Sequence, residues 1–154
     1  MFSQVEKGRD CSFIEPKSRL ESSIVSKQSI ELGEHSIILG HIKTQKNLHI
    51  NRNTIVSGNL FAEGSIFIDR DCKILGNIFS QEMVRLSRNV CIGSPDKIKS
   101  VIGNQLVVLH DNVTVHGYIS TEGTGYICEK ELCLLDSFND CNSCIRKTDS
   151  SKIN

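Results

Sequence analysis

The chain lacks most of the residues that commonly anchor a globular core. Its 154 residues include no tryptophan, two tyrosines and six phenylalanines. The core must therefore be built from isoleucine, leucine and valine. An excess of charge of either sign is also missing, since the formal net charge is +0 and the pI is near 6.9. A dedicated nucleic-acid binder needs a basic face, so no nucleic-acid partner is expected.

Long apolar runs are absent as well. No stretch reaches the roughly 18 apolar residues that a membrane-spanning helix requires. The first ten residues, MFSQVEKGRD, contain no apolar segment of the signal-peptide type. We therefore expect a cytoplasmic protein, and its length favours a single domain. In that compartment its seven cysteines are expected to be thiols or metal ligands rather than disulfides.

What the chain does have is an 18-residue repeat. Rows begin at residues 25, 43, 61 and 79, and a fifth begins at 102 after a five-residue insertion, KIKSV, at 97–101. The sixth position of the rows holds Ile30, Leu48, Ile66, Val84 and Val107, and the eighth holds Leu32, Ile50, Ile68, Leu86 and Leu109. The fourteenth holds Ile38, Val56, Ile74, Ile92 and Val115, and the eighteenth holds Ile42, Leu60, Ile78 and Ile119. The twelfth holds Ser36, Thr54, Cys72, Val90 and Val113.

Apolar residues at even positions, with polar residues between them, indicate strands rather than helices. Short strands that recur at a fixed period of about 20 residues are typical of a solenoid. The sequence thus predicts an all-β parallel β-helix over residues 25–127, with identical columns stacked about 4.8 Å apart around an aliphatic interior. Residues 1–24 and 128–154 are predicted to be flexible tails.

Two further columns predict the corners of each coil. The eleventh position holds His35, Asn53, Asp71, Asn89 and Asn112, residue types that tolerate a left-handed backbone. The sixteenth holds Gly40, Gly58, Gly76 and Gly117, which we interpret as a second corner. The fourth row departs from the pattern, because its glycine, Gly93, comes one place early and Pro95-Asp96 replaces the final pair.

The phrases ILGHI, VSGNL, ILGNI and VHGYI, on an 18-residue β-coil, resemble the bactofilins, bacterial polymer-forming cytoskeletal proteins. The resemblance covers roughly residues 25–127. It implies a right-handed β-helix that assembles end to end into nonpolar filaments without nucleotide or cofactor. It also implies filaments on the inner face of the membrane that recruit cell-wall or morphogenesis proteins. The start Met1-Phe2 is similar to the membrane-targeting start of many members, although a plain disordered tail is the alternative.

Physical reasoning supports polymerisation separately. A solenoid without polar caps presents unpaired strand edges and an open core, which a second copy would cover. The alternative is that the tails fold over the ends. The candidate polymerisation and core residues are Ile30, Leu32, Ile38, Ile42, Leu109, Val113, Val115 and Ile119.

The C-terminal segment offers a possible metal site. Cys128, Cys133, Cys141 and Cys144 have spacings of C-x4-C and C-x2-C, and four thiolates can bind zinc tetrahedrally. Free thiols in a mobile tail, or packing against the last coil, are the alternatives.

The outward columns suggest lateral surfaces. Arg52, Arg70 and Arg88 share the tenth position and are expected to form either a basic stripe or a solvated face. Phe61 and Phe79 share the first position, and an exposed aromatic patch would favour a lateral partner unless a tail covers it.

Two other functions remain open. Left-handed β-helix acyltransferases also use 18 residues per coil, but they place a catalytic histidine in a trimer cleft. The five histidines here, His35, His41, His49, His110 and His116, all fall in outward columns and are expected to scatter over the surface. A β-helix that displays its faces without polymerising is the third hypothesis.

Overall fold

The computed structural model describes residues 5–7, 11–128 and 145–148, the first and last of these segments in backbone only. The described residues form 21 strands and no helix. They build a parallel solenoid of about six turns with 18 residues per turn, which confirms the predicted fold class. None of the described residues belongs to a helix long and apolar enough to cross a membrane.

Three sheets run along the solenoid, with strands numbered in chain order. Sheet A has nine strands: β1 (Val5–Lys7), β2 (Cys11–Ile14), β5 (Ser29–Leu32), β8 (Leu48–Ile50), β11 (Ile66–Ile68), β14 (Met83–Leu86), β17 (Leu106–Leu109), β20 (Thr124–Cys128) and β21 (Ile145–Thr148). Sheet B has six: β3 (Arg19–Leu20), β6 (Ile37–Ile38), β9 (Ile55–Val56), β12 (Lys73–Ile74), β15 (Cys91–Ile92) and β18 (Thr114–Val115). Sheet C also has six: β4 (Ile24–Ser26), β7 (Ile42–Thr44), β10 (Leu60–Ala62), β13 (Ile78–Ser80), β16 (Lys99–Gly103) and β19 (Gly117–Ser120).

The strand register reproduces the sequence period. Ile66 pairs in parallel with Leu48, 18 residues earlier, and with Val84, 18 residues later. In the three-residue strands of the inner coils alternate residues are buried, as Ile66 and Ile68 are on either side of half-buried Phe67. The interior is therefore a continuous stack of aliphatic columns, and burying them supplies the main favourable term in folding.

The solenoid begins one turn earlier than the predicted boundary at residue 25. Residues 11–24, which the sequence analysis placed in a flexible tail, form β2, β3 and the start of β4, and β2 pairs in parallel with β5. Ile14, Leu20 and Ile24 fill the inward columns of this coil. The pattern is hard to read because Ser12 stands where the later rows have an aliphatic residue and Ser22 where they have glycine.

The insertion lies elsewhere than predicted. Val101 pairs with Ile78 and is fully buried, so it fills the eighteenth column that Pro95-Asp96 seemed to interrupt. The extra residues instead loop out before β16. Ser94 and Lys97 close this loop with reciprocal backbone hydrogen bonds of 3.2 and 3.0 Å. A tight external turn adds residues without disturbing the core columns.

The eleventh-position corner is confirmed. The residues at this position all have φ values between 57° and 63°: Lys17, His35, Asn53, Asp71, Asn89 and Asn112. Their side chains also stack, since Asn112 Nδ2 donates to Asn89 Oδ1 (2.7 Å) and Asn89 Nδ2 donates to Asp71 Oδ1 (3.1 Å). Asparagine and aspartate at this corner therefore adopt the left-handed backbone conformation and also form side-chain hydrogen bonds between neighbouring coils.

The sixteenth-position glycines also lie where the chain turns, but for another reason. Gly40, Gly58 and Gly76 sit at bends between sheets B and C without a positive φ. A Cβ atom at Gly58 would collide with the carbonyl oxygen of Gly40, and one at Gly76 with that of Gly58. Close stacking of backbones, rather than conformational freedom, requires glycine there. Gly117 has a φ of 145° and is crowded by Lys99 as well.

Small polar side chains inside the coil satisfy the corner carbonyls. Ser36 Oγ donates to the Gly33 carbonyl at 2.8 Å and Ser80 Oγ to the Gly64 carbonyl at 2.6 Å, and both residues are fully buried. Cys72 takes the same kind of place, with Sγ 3.0 Å from the Asn51 carbonyl oxygen. Burial raises the pKa of the Cys72 thiol to about 12, so it is a neutral core residue.

Replacing Gly58 with alanine tests the close-stacking argument. The new methyl group meets backbone atoms of the coil below, which cannot move aside as a flexible side chain would. We expect Gly58→Ala to lower the free energy of unfolding by about 1–3 kcal/mol, the usual cost of overpacking. Chemical denaturation measures this, with Ser57→Ala in the adjacent, half-buried position as the control. Equal stability of the two variants would contradict the argument.

Candidate self-assembly interface

The aliphatic core is closed in the inner coils and incompletely closed at both ends. Ile38, Val56, Ile74 and Ile92 of the fourteenth column are fully buried. Their counterparts in the first and last coils, Leu20 and Val115, are only partly buried although they pack against the same core. The eighteenth column shows the same difference in burial, because Ile24 in the first coil and Ile119 in the last are partly exposed. Within the described residues no further coil covers sheets B and C at either end, which explains this exposure.

The N-terminal end carries a concave opening. A cavity of about 580 Å³ lies beside β3 and β4, and its lining mixes aliphatic residues with small polar ones: Ser12, Leu20, Ser22, Ser23, Ile24, Val25, Ser26, Lys27 and Gln28. On the edge strand β4, the side chain of Val25 is 75% exposed. This end therefore presents apolar surface next to strand backbone.

The C-terminal end presents β18 and β19. Val113, Val115 and Ile119 pack against the core at this end and remain partly exposed. Tyr118 on β19 is 67% exposed. At each end of the solenoid, aliphatic core residues are thus partly exposed beside an edge strand that carries an exposed apolar side chain, Val25 at one end and Tyr118 at the other.

The outermost strands of sheets B and C have little protection. At the N-terminal end these are β3 and β4, and at the C-terminal end β18 and β19. The sequences of β4 (IVS), β18 (TV) and β19 (GYIS) contain no charged residue and no proline; β3 contains Arg19. Charged residues and proline are what natural sheets commonly use to block edge pairing. Three of these four edges are therefore chemically suited to pair with another strand.

Sheet A ends differently. Val5 of β1 pairs antiparallel with Ile14 of β2, and Gly125 of β20 pairs antiparallel with Thr148 of β21. Ile14 is fully buried, in contrast to Leu20 and Ile24 of the same coil. The alternative that segments outside the repeat fold over the ends thus holds for sheet A. Within the described residues, sheets B and C have no such strand.

The structure separates the predicted polymerisation residues into two groups. Ile30, Leu32, Ile38 and Ile42 are buried inside the second coil, because the coil over residues 11–24 covers them. Val115 and Ile119 do lie on the outermost strands β18 and β19 of the C-terminal end, whereas Leu109 lies on β17, which β20 covers. Val113 precedes β18 and is partly exposed. Leu20 and Ile24 are the corresponding N-terminal residues, and neither was among the predicted ones. Extending the columns one row upstream would have found them, since both fall exactly one period before Ile38 and Ile42.

Several other predicted site residues lie outside the part of the chain that the structure describes. Met1 and Phe2, Cys133, Cys141 and Cys144 are not among the described residues. Cys128 is fully buried at the end of β20. Among residues whose side chains are described, no group of three or more histidine, cysteine, aspartate or glutamate residues is placed to hold a metal ion. The zinc hypothesis therefore stays a prediction.

The lateral faces carry the predicted aromatic and basic columns. The rings of Phe61 and Phe79 are stacked on the outer face of sheet C, with centroids 5.2 Å apart, and Lys43 Nζ lies 5.3 Å from the centre of the Phe61 ring. In the basic column, Arg52 Nε donates to Glu34 Oε2 at 2.7 Å. That hydrogen bond lowers the pKa of the Glu34 carboxyl. The stripe is thus partly neutralised by the coil before it.

The histidines do not all lie on the surface as predicted. His110 is buried, with 6% of its surface exposed, and its Nε2 accepts a hydrogen bond of 2.9 Å from Nε of buried Arg85. Burial, and then the charge of Arg85, lower the pKa of His110 to about 4. His41 is exposed, and its Nδ1 accepts from the Asn59 amide at 2.8 Å. These contacts place His110 and His41 in hydrogen bonds within the solenoid.

The chain matches no known family model, no curated protein and no solved structure. The resemblance to the bactofilins therefore rests on the repeat phrases alone.

The Arg85–His110 contact predicts how stability depends on pH. His110 must be neutral to accept the hydrogen bond, and its pKa falls from 6.5 in the unfolded chain to about 4 in the folded one. The unfolded state therefore binds more protons between these values, and stability falls as the pH drops from 6.5 toward 4. Thermal denaturation across this range measures the loss. In His110→Gln, which keeps an acceptor without titrating, we expect a shallower pH dependence; an unchanged profile would refute the assignment.

Proposed function

We propose that this protein is a structural protein that assembles with copies of itself end to end, through the open edges of its β-helix. The observation that carries the proposal is the partial exposure of core columns at both ends, at Leu20 and Ile24 on one side and at Val115 and Ile119 on the other. The same columns are fully buried in every inner coil. A second copy placed against an end would supply the missing neighbour.

The energetics favour such contacts. Fully burying an aliphatic side chain is worth about 1.5–3 kcal/mol, so the partly exposed residues of each end set an upper bound of several kcal/mol. Edge strands β4, β18 and β19 add unpaired backbone groups that a second strand would satisfy. Both contributions come from the polypeptide itself. The proposed assembly accordingly needs no nucleotide and no cofactor.

A scaffold role follows from the geometry of an assembled solenoid. Stacked copies would repeat the lateral faces along a filament, including the Phe61–Phe79 pair and Lys43 on sheet C. A repeated face binds a multivalent partner more tightly than one copy does. We extend the proposal, through the resemblance to the bactofilins, to a scaffold for cell-shape or cell-wall proteins, in contact with the inner membrane face through Met1 and Phe2.

Electron microscopy of the purified full chain, without nucleotide and with reductant, tests the proposal. Long unbranched filaments would support it. Monodisperse single copies at all concentrations would refute it and favour an adaptor that displays its faces. Discrete trimers would refute it in favour of the acyltransferase-like hypothesis.

Lysine substitutions at the ends make the test specific. Ile24→Lys and Ile119→Lys each place a charge where the proposal buries an aliphatic side chain. Leaving a charge poorly solvated costs at least about 2 kcal/mol, so we expect the critical concentration for assembly to rise about 30-fold. Sedimentation of assembled protein against total concentration measures it.

The matched control is Ile55→Lys. Ile55 lies in an inner coil on β9 and is already 38% exposed, so the same chemical change there leaves both ends intact. Circular dichroism verifies that all three variants fold. Equal critical concentrations for the end variants and the control would contradict assembly through the ends.

A further inference from the structure

Two strands outside the repeat close the ends of one sheet only. Among the strand pairs of the three sheets in the described residues, all are parallel except β1 with β2 and β20 with β21. Both exceptions lie in sheet A, at opposite ends of the solenoid. Pairing satisfies the backbone edges of β2 and β20 that would otherwise be open.

These strands change the shape of the ends. Sheet A has nine strands, whereas sheets B and C have six each. At a strand spacing of about 4.8 Å, sheet A is longer than its neighbours by about 14 Å. Two of the three additional strands are β1 and β21. A second copy that approaches end-on therefore meets one of these strands before it reaches the open edge of β4 or β19.

The strands also differ chemically from the edges they adjoin. β1 reads VEK and β21 reads IRKT, so each carries two charged residues: Glu6 and Lys7, and Arg146 and Lys147. Edge strands of natural sheets use charged residues to prevent pairing with other chains. The uncharged edges β4, β18 and β19 lack this protection. Sheet A is thus closed against assembly where sheets B and C are open.

We propose that β1 and β21 are displaceable caps that hold the single copy in a closed form, and that end-to-end assembly requires their removal. This inference rests on the proposed function. The caps are three and four residues long, and strands this short at a sheet edge open locally at little cost. Their departure exposes β2 and β20, so that all three sheets offer an edge to the incoming second copy.

Proline substitutions in the full chain test the caps. Adjacent residues of an antiparallel strand alternate in their hydrogen bonding to the partner. Of Val5→Pro and Glu6→Pro, at least one therefore removes a bond to β2. Arg146→Pro and Lys147→Pro do the same for β21. Losing one or two ladder bonds raises the uncapped fraction about tenfold, and we expect the critical concentration to fall by a similar factor.

The matched controls keep the strand and change only the charge. Glu6→Gln and Lys147→Gln retain the backbone N–H groups and leave one of the two charged residues of each strand in place. We therefore expect their critical concentrations to stay within about twofold of the parent chain. Hydrogen–deuterium exchange of the peptide that contains residues 11–14 reports whether the β1 cap has opened. Faster exchange in the proline variants, with an unchanged circular dichroism spectrum, is the expected result.

The outcomes separate the inference from the proposed function. Assembly at lower concentration in the proline variants supports both. Assembly of the parent and proline chains at equal concentration overturns the caps but leaves end-to-end assembly standing. Weaker assembly of the proline variants also overturns the inference, because β1 and β21 would then belong to the contact itself. If neither the parent chain nor any variant assembles at any concentration, the proposed function is refuted, and the inference about the caps is refuted with it.

Discussion

Parallel pairing between residues 18 positions apart is the interaction on which the rest of this structure depends. Because every coil lies in register on the previous one, each column has to satisfy the same local environment several times. The aliphatic columns fill one interior, the asparagine-rich corner repeats one backbone conformation, and the glycine column admits backbones that pass too close for a Cβ atom. A residue type that fits a column in one coil is therefore favoured in the same column of the next coil.

Parallel stacking of coils does not end by itself, because each coil presents the same strand edges to the next one. The structure of the two end coils is therefore important. Leu20 and Val115 differ from the inner members of their column only in lacking a neighbour on one side. In sheet A, β1 and β21 cover the two ends by antiparallel pairing, whereas no strand of the part of the chain that the structure describes covers the ends of sheets B and C. Under the proposed function, the two caps of sheet A would therefore set the concentration at which copies begin to stack.

The outward faces are less uniform than the interior. On sheet C the stacked pair Phe61–Phe79 forms an aromatic surface. On sheet A the outward column contains Arg85, which is buried together with His110. The loop closed by Ser94 and Lys97 projects at one corner without altering the register of β15 with β18. Variation is tolerated on these faces because they lie outside the aliphatic interior.

By itself the sequence determined the fold class, the 18-residue coil, the inward columns and the left-handed corner, because these depend on local period and residue type repeated many times. It left the first coil in a predicted tail, because Ser12 and Ser22 break two of the columns, although Ile14 and Leu20 continue two others. It placed Gly58 at a corner, but only the tertiary structure shows that glycine is required there by the close approach of two backbones. Only the tertiary structure decided which residues are terminal, that Val101 completes the fourth coil, that His110 is buried, and that β1 and β21 cap sheet A. Each of these features depends on contacts between segments of the chain that the 18-residue repeat does not relate to one another, so the repeat alone does not predict them.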